Sequence, residues 1–232
     1  MLSLRDATGG YGATPVLRGV SLDVGDGEVV ALLGRNGSGK TSTFKYLMGM
    51  LDRNAGSVAI DNRPVAHVPE LRARAGLGYV PQGRHVFPRL NILENIAAVA
   101  IAHGRDPGEA IDRSFHIFPA LALRSRALAG QLSGGQQQML AVARALAMQP
   151  KVLLLDEPTE GVQPSIVDEL CDALLRLNAK EHLAILVAEQ DLDFALQLAS
   201  RAYVLDRGAV ERQTTAADLR ADTETIQELL GV

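Results

Sequence analysis

The feature that most constrains this chain is an apolar run, VVALL at 29–33, that passes straight into GRNGSGKT at 34–41. A helical pattern follows at 40–50. The glycines Gly34, Gly37 and Gly39 let the backbone turn tightly and aim consecutive N–H groups at one point. The helix behind them adds the positive end of its dipole. A turn of this kind is suited to hold phosphate, with Arg35, Asn36, Ser38 and Ser42 completing its walls. Lys40 supplies a full charge to the outer phosphates, and the Thr41 hydroxyl suits Mg²⁺. A glycine-rich strand–helix turn without ligand is the bland alternative. The complete P-loop pattern, in its strand-then-helix setting, favours the phosphate reading.

A second apolar run, VLLL at 152–155, ends in Asp156 and Glu157. A buried strand that closes on Asp is how a phosphate-loop enzyme holds Mg²⁺. Glu157 then sits at the strand's C-terminal edge, where ligands bind in α/β sheets, and can orient or deprotonate an attacking water. LSGGQ at 132–136 reads first as a capping box, with Ser133 as N-cap and Gln136 at N3. Capping leaves the adjacent Gly134 and Gly135 unexplained. A glycine pair costs helix stability and bares backbone N–H groups, which makes an anion site.

Short apolar runs at 29–33, 77–80, 152–155, 184–187 and 202–205 read as buried strands, with helices at 40–50, 165–177 and 192–198 between them. Such alternation predicts a largely parallel sheet covered by helices. The glycine-punctuated first residues read as antiparallel hairpin strands on one edge of that sheet. From 91 to 148 there is helical periodicity and no convincing strand. Asn91 with Glu94 forms a capping pattern, and helices are expected at 107–118, near 121–128 and after Ser133. The expected architecture is therefore an α/β phosphate-loop core, RecA-like, at 1–83 and 150–232, with an inserted helical subdomain at 84–149. The stretch from Thr214 onward reads as short amphipathic helix.

Taken in order, GRNGSGKT, LSGGQ and VLLLDEP resemble the nucleotide-binding domain of ABC transporters over essentially the whole chain. The resemblance implies ATP and Mg²⁺ as ligands, with Ser133, Gly134, Gly135 and Gln136 contacting the γ-phosphate of ATP held by an opposite subunit. Tyr11 resembles the aromatic that stacks on adenine, with packing as the other reading. Gln82, after the strand at 77–80, resembles the glutamine that contacts Mg²⁺ and water and links to a membrane subunit. Thr41, Gln82 and Asp156 would then surround the metal, with Glu157, Lys40 and Gln190 acting in catalysis, Gln190 through one amide hydrogen bond to phosphate. Two positions depart from the family pattern. Gln190 stands where most members carry a γ-phosphate histidine, and an amide cannot carry the imidazolium charge. Gln163 stands where the loop after the Asp-Glu pair usually ends in aspartate.

Among ABC machines, one cassette, no sustained heptads and no basic tail favour a transporter motor over a soluble ATPase acting on nucleic acid or ribosomes. The net charge of −4 argues the same way. PQGRHVFPRLNILENI, SGGQQQMLAVARAL and VAEQ resemble the importer group for branched-chain amino acids and related amides, and DEPTEGVQPSIVDEL its urea branch. The group implies membrane-spanning permease subunits, a second and different ATP-binding subunit, and an external solute-binding protein. An exporter motor is the alternative. Val86, Phe87 and Leu90 read either as a grip on the membrane partner or as subdomain core. No signal peptide and no membrane span is expected, so the chain should sit peripherally on the cytoplasmic face of the membrane. Cys171, the single cysteine, reads as a small buried hydrophobe.

Overall fold

The computed structural model describes residues 1–221. Among them, two sheets form. The larger has strand order β10-β9-β3-β8-β7-β6. It is built from β3 (Val29–Leu33), β6 (Leu77–Val80), β7 (Val152–Asp156), β8 (Ala184–Glu189), β9 (Arg201–Asp206) and β10 (Ala209–Thr215). Its strands are parallel except β10, which pairs antiparallel with β9. The five expected buried strands are all present, β7, β8 and β9 running slightly longer.

Every residue of β3, β7 and β8 is buried, as expected for strands covered on both faces. Side-chain alternation divides the core in two. Val30, Leu32, Leu154 and Leu186 face Phe44 and Leu47 of helix α1 (Lys40–Leu47) and the second sheet. Ala31, Leu33, Leu155 and Val187 face the other way, onto helices α6 (Gly134–Ala147), α7 (Pro164–Glu181) and α8 (Leu192–Leu198). Each fully buried aliphatic side chain contributes roughly 1.5–3 kcal/mol.

The second sheet, order β2-β1-β4-β5, is antiparallel throughout. It comprises β1 (Leu2–Tyr11), β2 (Thr14–Val24), β4 (Asp52–Ile60) and β5 (Arg63–Pro64). Antiparallel strands were expected here, but as an edge of the main sheet. They form a separate layer instead, β1 pairing with β2 and β4 and none of the four pairing with a strand of the main sheet. β4, β5, β10 and a short helix α2 (Pro69–Arg74) were not anticipated.

Between β6 and β7 the chain is helical: α3 (Ile92–Ala102), α4 (Pro107–Ile117), α5 (Pro119–Ala122) and α6. Asn91 and Glu94 make the full capping box on α3. The helix expected near 121–128 is displaced. Pro119 starts α5 two residues earlier, and Leu128 is extended in a bridge with Asn91 before a single 3₁₀ turn at Ala129–Gln131. Helix α1 ends short of residue 50 because Gly49 turns out at φ +74°. Helix α7 runs past 177 until His182, exposed at φ +52°, closes it. Cys171 is buried in α7, and burial raises its thiol pKa. Thr214 and Thr215 belong to β10, and helix α9 covers only Ala216–Ala221; the rest of the expected C-terminal helix lies outside the described residues. No described helix is long and apolar enough to cross a membrane.

Candidate active site

The parallel sheet brings four chain segments to one edge. In register, Val80 faces Leu155, Asp156 faces Ala188, and Leu33 faces Glu189. The residues that follow these strand ends, Gln82, Glu157, Gln190 and Gly34, therefore emerge beside one another. This is the C-terminal edge where α/β sheets bind ligands.

Lys40, the first residue of α1, is buried. Its Nζ donates to the carbonyls of Gly34 (2.7 Å) and Arg35 (3.3 Å) and pairs with Glu157 Oε1 at 3.0 Å. The second Glu157 oxygen accepts from Gln82 Nε2 at 3.0 Å, which also donates to Glu160 at 2.9 Å. Glu157 itself sits at φ +47°, a left-handed conformation that costs a non-glycine residue about 1–2 kcal/mol. Its N–H donates to Ala188 O at 2.9 Å, so the strained turn is held from β8 while its carboxylate swings toward Lys40.

One bond away, Thr41 Oγ1 donates to Asp156 Oδ1 at 3.1 Å and the Tyr79 hydroxyl donates to Oδ2 at 3.1 Å. Burial pushes the Asp156 carboxyl above its ordinary range, with Glu157 adding to the shift, against the pull of both hydroxyls and of Lys40. Burial likewise raises Tyr79, which therefore stays a donor. Thr41, Asp156 and Gln82 are hard oxygen donors of the kind Mg²⁺ takes. No cluster of three His, Cys, Asp or Glu among the described residues could cage a metal alone, so such an ion would share its coordination with phosphates. In the loop itself, Ser38 Oγ is buried without a hydrogen-bond partner. An orphaned hydroxyl in a glycine loop fits a phosphate oxygen. The loop opens to a cleft of about 240 Å³ lined by Arg35, Gly37, Lys40, Thr41, Ser42 and Glu157. Arg35, Asn36 and Gly37 form its exposed tip, and Gly39 precedes α1 in a left-handed conformation. Tyr11 stands at the rim, half exposed, its hydroxyl 3.4 Å from Ser42 Oγ and Lys45 Nζ 5.4 Å above its ring.

Ser133, Gly134, Gly135 and Gln136 belong to the start of α6, where Gly134 lies against Arg84. Among the described residues no hydrogen bond or ion pair joins them to the 34–42 loop. The capping box on α6 is complete, at 3.3 Å from Gln136 N–H to Ser133 Oγ and 3.2 Å from Ser133 N–H to Gln136 Oε1. Of the glycine pair, Gly134 is half-buried and Gly135 is buried. A Cβ on Gly135 would stand 2.7 Å from Ile166 Cγ2 of α7, and one on Gly134 would stand 2.9 Å from Arg84 Nη1. Close packing against Ile166 accounts for glycine at 135, whereas the neighbour of Gly134 is the movable end of an arginine side chain.

Gln190 is half-buried at the β8–α8 turn, and Gln163 is exposed before α7, where it makes no side-chain cap. Val86 packs partly buried against the core, whereas Phe87 is 44% exposed, with the Arg144 guanidinium 4.2 Å over its ring.

Three contributors escaped the sequence reading. Arg84 Nη2 donates to the Glu160 and Gly161 carbonyls (3.0 and 3.1 Å), tying the Gln82 loop to the loop after Glu157. Gly208, in the β9–β10 turn, donates its N–H to Ser38 O and accepts from Arg18 N–H, both at 2.8 Å, bracing the phosphate loop against β2. Glu189 bonds Thr159 and the Gln190 turn. The only local signals were a lone Arg after Gln-Gly, a turn-forming Asp-Arg-Gly, and an acid ending an apolar strand.

The sequence model of the ABC transporter family matches residues 17–160. The chain is 36% identical over 233 residues, the full length of both, to the high-affinity branched-chain amino acid transport ATP-binding protein BraG of Pseudomonas aeruginosa. It is 33% identical to the lipopolysaccharide export system ATP-binding protein LptB of Escherichia coli, over 99% of this chain and 97% of that protein. A solved dimeric ATP-binding cassette, in a post-hydrolysis state bound to ADP and Pi, superposes with a TM-score of 0.83 at 27% identity, covering 93% of this chain and 99% of that one.

Proposed function

The chain belongs to the ABC transporter family of ATP-binding subunits, and on that premise we propose that it is the ATPase motor of an importer for small polar solutes of the branched-chain amino acid or urea type. The observation that carries the catalytic half is the placement of Glu157 between Lys40 and Gln82, beside the Thr41–Asp156 pair. The import direction is supported by the full-length likeness to BraG. The likeness to LptB makes an exporter motor the second reading.

In this mechanism the 34–42 loop and Lys40 bind the phosphate chain, and Tyr11 stacks on the base. Thr41, Asp156 and Gln82 would hold Mg²⁺, which would supply positive charge to offset that of the phosphates. Lys40 exchanges its Glu157 partner for phosphate oxygens, which frees the Glu157 carboxylate to orient and deprotonate water. Gln190 donates a hydrogen bond toward the γ-phosphate. Ser133, Gly134, Gly135 and Gln136 serve the nucleotide of a second subunit, so a working unit is a dimer with two composite sites. Gln190 and Gln163 favour a different chain as that partner, one that keeps the family histidine. The division into a core at 1–83 and 150–232 and a helical subdomain at 84–149 lets the Gln82 loop pass closure to permease subunits at the cytoplasmic face. An external binding protein supplies the solute.

The test is uptake by cells lacking the chain, using labelled leucine and labelled urea, with restoration by the wild-type protein. Loss and rescue of either uptake is expected. Normal uptake of both, with a surface lipid failing to reach the outside, would move the assignment to export. Co-purification with ribosomes or DNA and no membrane protein would overturn both.

A further inference from the structure

Glu189 is a buried carboxylate that the reaction as described does not use. It is 2% exposed, at the end of β8, opposite Leu33 and so next to the start of the phosphate loop. Burial pushes its pKa to about 7 against the pull of its hydrogen bonds, so an ionised acid is costly at this position. Among the described residues, the hydrogen bonds of its carboxylate go to two segments. Oε1 accepts from Thr159 N–H at 3.1 Å and from Thr159 Oγ1 at 2.8 Å. Oε2 accepts from Gln190 N–H at 3.2 Å and, at the long end, from Asp191 N–H at 3.5 Å. Asp191 in turn caps α8 through Phe194 N–H at 3.1 Å. Thr159 lies two residues beyond Glu157, whose own N–H is held by the neighbouring Ala188 carbonyl. One strand end therefore fixes both the loop that carries Glu157 and the turn that presents Gln190.

We propose that Glu189 is a positioning residue for ATP hydrolysis: its carboxylate locks the Gln190 turn to the Thr159 loop, so that Gln190 and Glu157 converge on one γ-phosphate. This rests on the reading of Gln190 as a γ-phosphate contact. A purely structural acid would stabilise the same loops without acting through Gln190, and a double-mutant cycle separates the two.

The experiment measures kcat, KM for ATP and thermal midpoint in the full-length protein assembled with its partner subunits. Glu189→Gln and Glu189→Ala are each made alone and together with Gln190→Ala, and Thr159→Val removes only the hydroxyl bond. Glu189→Gln keeps the volume and places an amide N–H₂ against N–H donors. The expected result is a fall in kcat of about 10-fold or more, KM within about 2-fold, and less than about 2-fold further loss in the Gln190→Ala background, in keeping with the steep cost of small misplacements at a reacting centre. Thr159→Val shows the same split with a smaller factor. A wild-type kcat in both Glu189→Gln and Thr159→Val overturns the proposal. So does an equal kcat loss in both Gln190 backgrounds, or a loss that follows the thermal midpoint. A wild-type kcat in Gln190→Ala alone refutes instead the reading of Gln190 on which the proposal rests.

Discussion

Replacing Gly208 with alanine tests how the phosphate loop is held in place. Gly208 sits at φ +80°, and a Cβ there would lie 1.7 Å from the Val16 carbonyl oxygen. Reaching a normal carbon–oxygen contact of about 3.3 Å requires the turn to move by about 1.5 Å. That shift breaks two 2.8 Å bonds, Gly208 N–H to Ser38 O and Arg18 N–H to Gly208 O. Each bond is worth about 1 kcal/mol net. The left-handed conformation costs alanine about 1 kcal/mol more, and residual overlap in the packed turn adds roughly 1–2 kcal/mol. The expected destabilisation is about 4–5 kcal/mol. Because Ser38 belongs to the phosphate loop, ATP affinity should fall as well, by about 10-fold if one to two kcal/mol of loop order is lost. Urea unfolding at 25 °C and titration with a fluorescent ATP analogue read the two effects. A stability loss under about 1 kcal/mol with unchanged affinity would refute the reasoning, because the turn would then move without carrying the loop.

Gly135→Ala should cost about 1 kcal/mol in a urea melt, because contact with Ile166 costs about 1–3 kcal/mol and alanine returns about 1 kcal/mol of helix propensity. Phe87→Glu, at an exposed ring, should abolish solute uptake while ATP affinity stays within about 2-fold, the outcome expected of a contact surface rather than core; lost affinity in a binding titration would place Phe87 in the fold instead. Glu189 has its pKa raised from 4.5 to about 7 by burial, so its contribution to stability is complete below 4.5 and is lost as pH rises through about 7. The loss is about 3 kcal/mol. Urea melts of wild type and Glu189→Gln between those pH values should therefore diverge, with only the wild type carrying that downward component; parallel curves would remove it.

The parts of the site that were legible in the sequence are those whose geometry is local. The strand–glycine loop–helix of 29–47 and the strand ending in Asp156 each state their chemistry within a dozen residues. The two capping boxes, on α3 and α6, were legible for the same reason. What was not legible depends on which distant segments approach. Nothing near Gly135 announces Ile166, and nothing near Gly208 announces Val16. The antiparallel strands were recognised as strands, but β1 pairs with β4 across the whole phosphate loop and α1, in a sheet of its own, and that is a long-range fact. The helix expected near 121–128 failed because apolar residues recur there at helical spacing while Leu128 is claimed by a bridge to Asn91. Arg84 and Glu189 bind carbonyls and amides of loops remote in sequence, and no periodicity encodes such pairs.

The most direct measurement is ATP turnover and ATP binding by Glu157→Gln in the assembled protein. The substitution keeps the size of the side chain and an oxygen to face Lys40, but removes the base that lies 3.0 Å from Lys40 Nζ and 3.0 Å from Gln82 Nε2. Loss of a general base costs about 10²–10⁴ in rate. The expected result is hydrolysis at or below about one per cent of wild type, with ATP still bound and the dimer closed around it. Hydrolysis at the wild-type rate would contradict the assignment of Glu157, and with it the site as described.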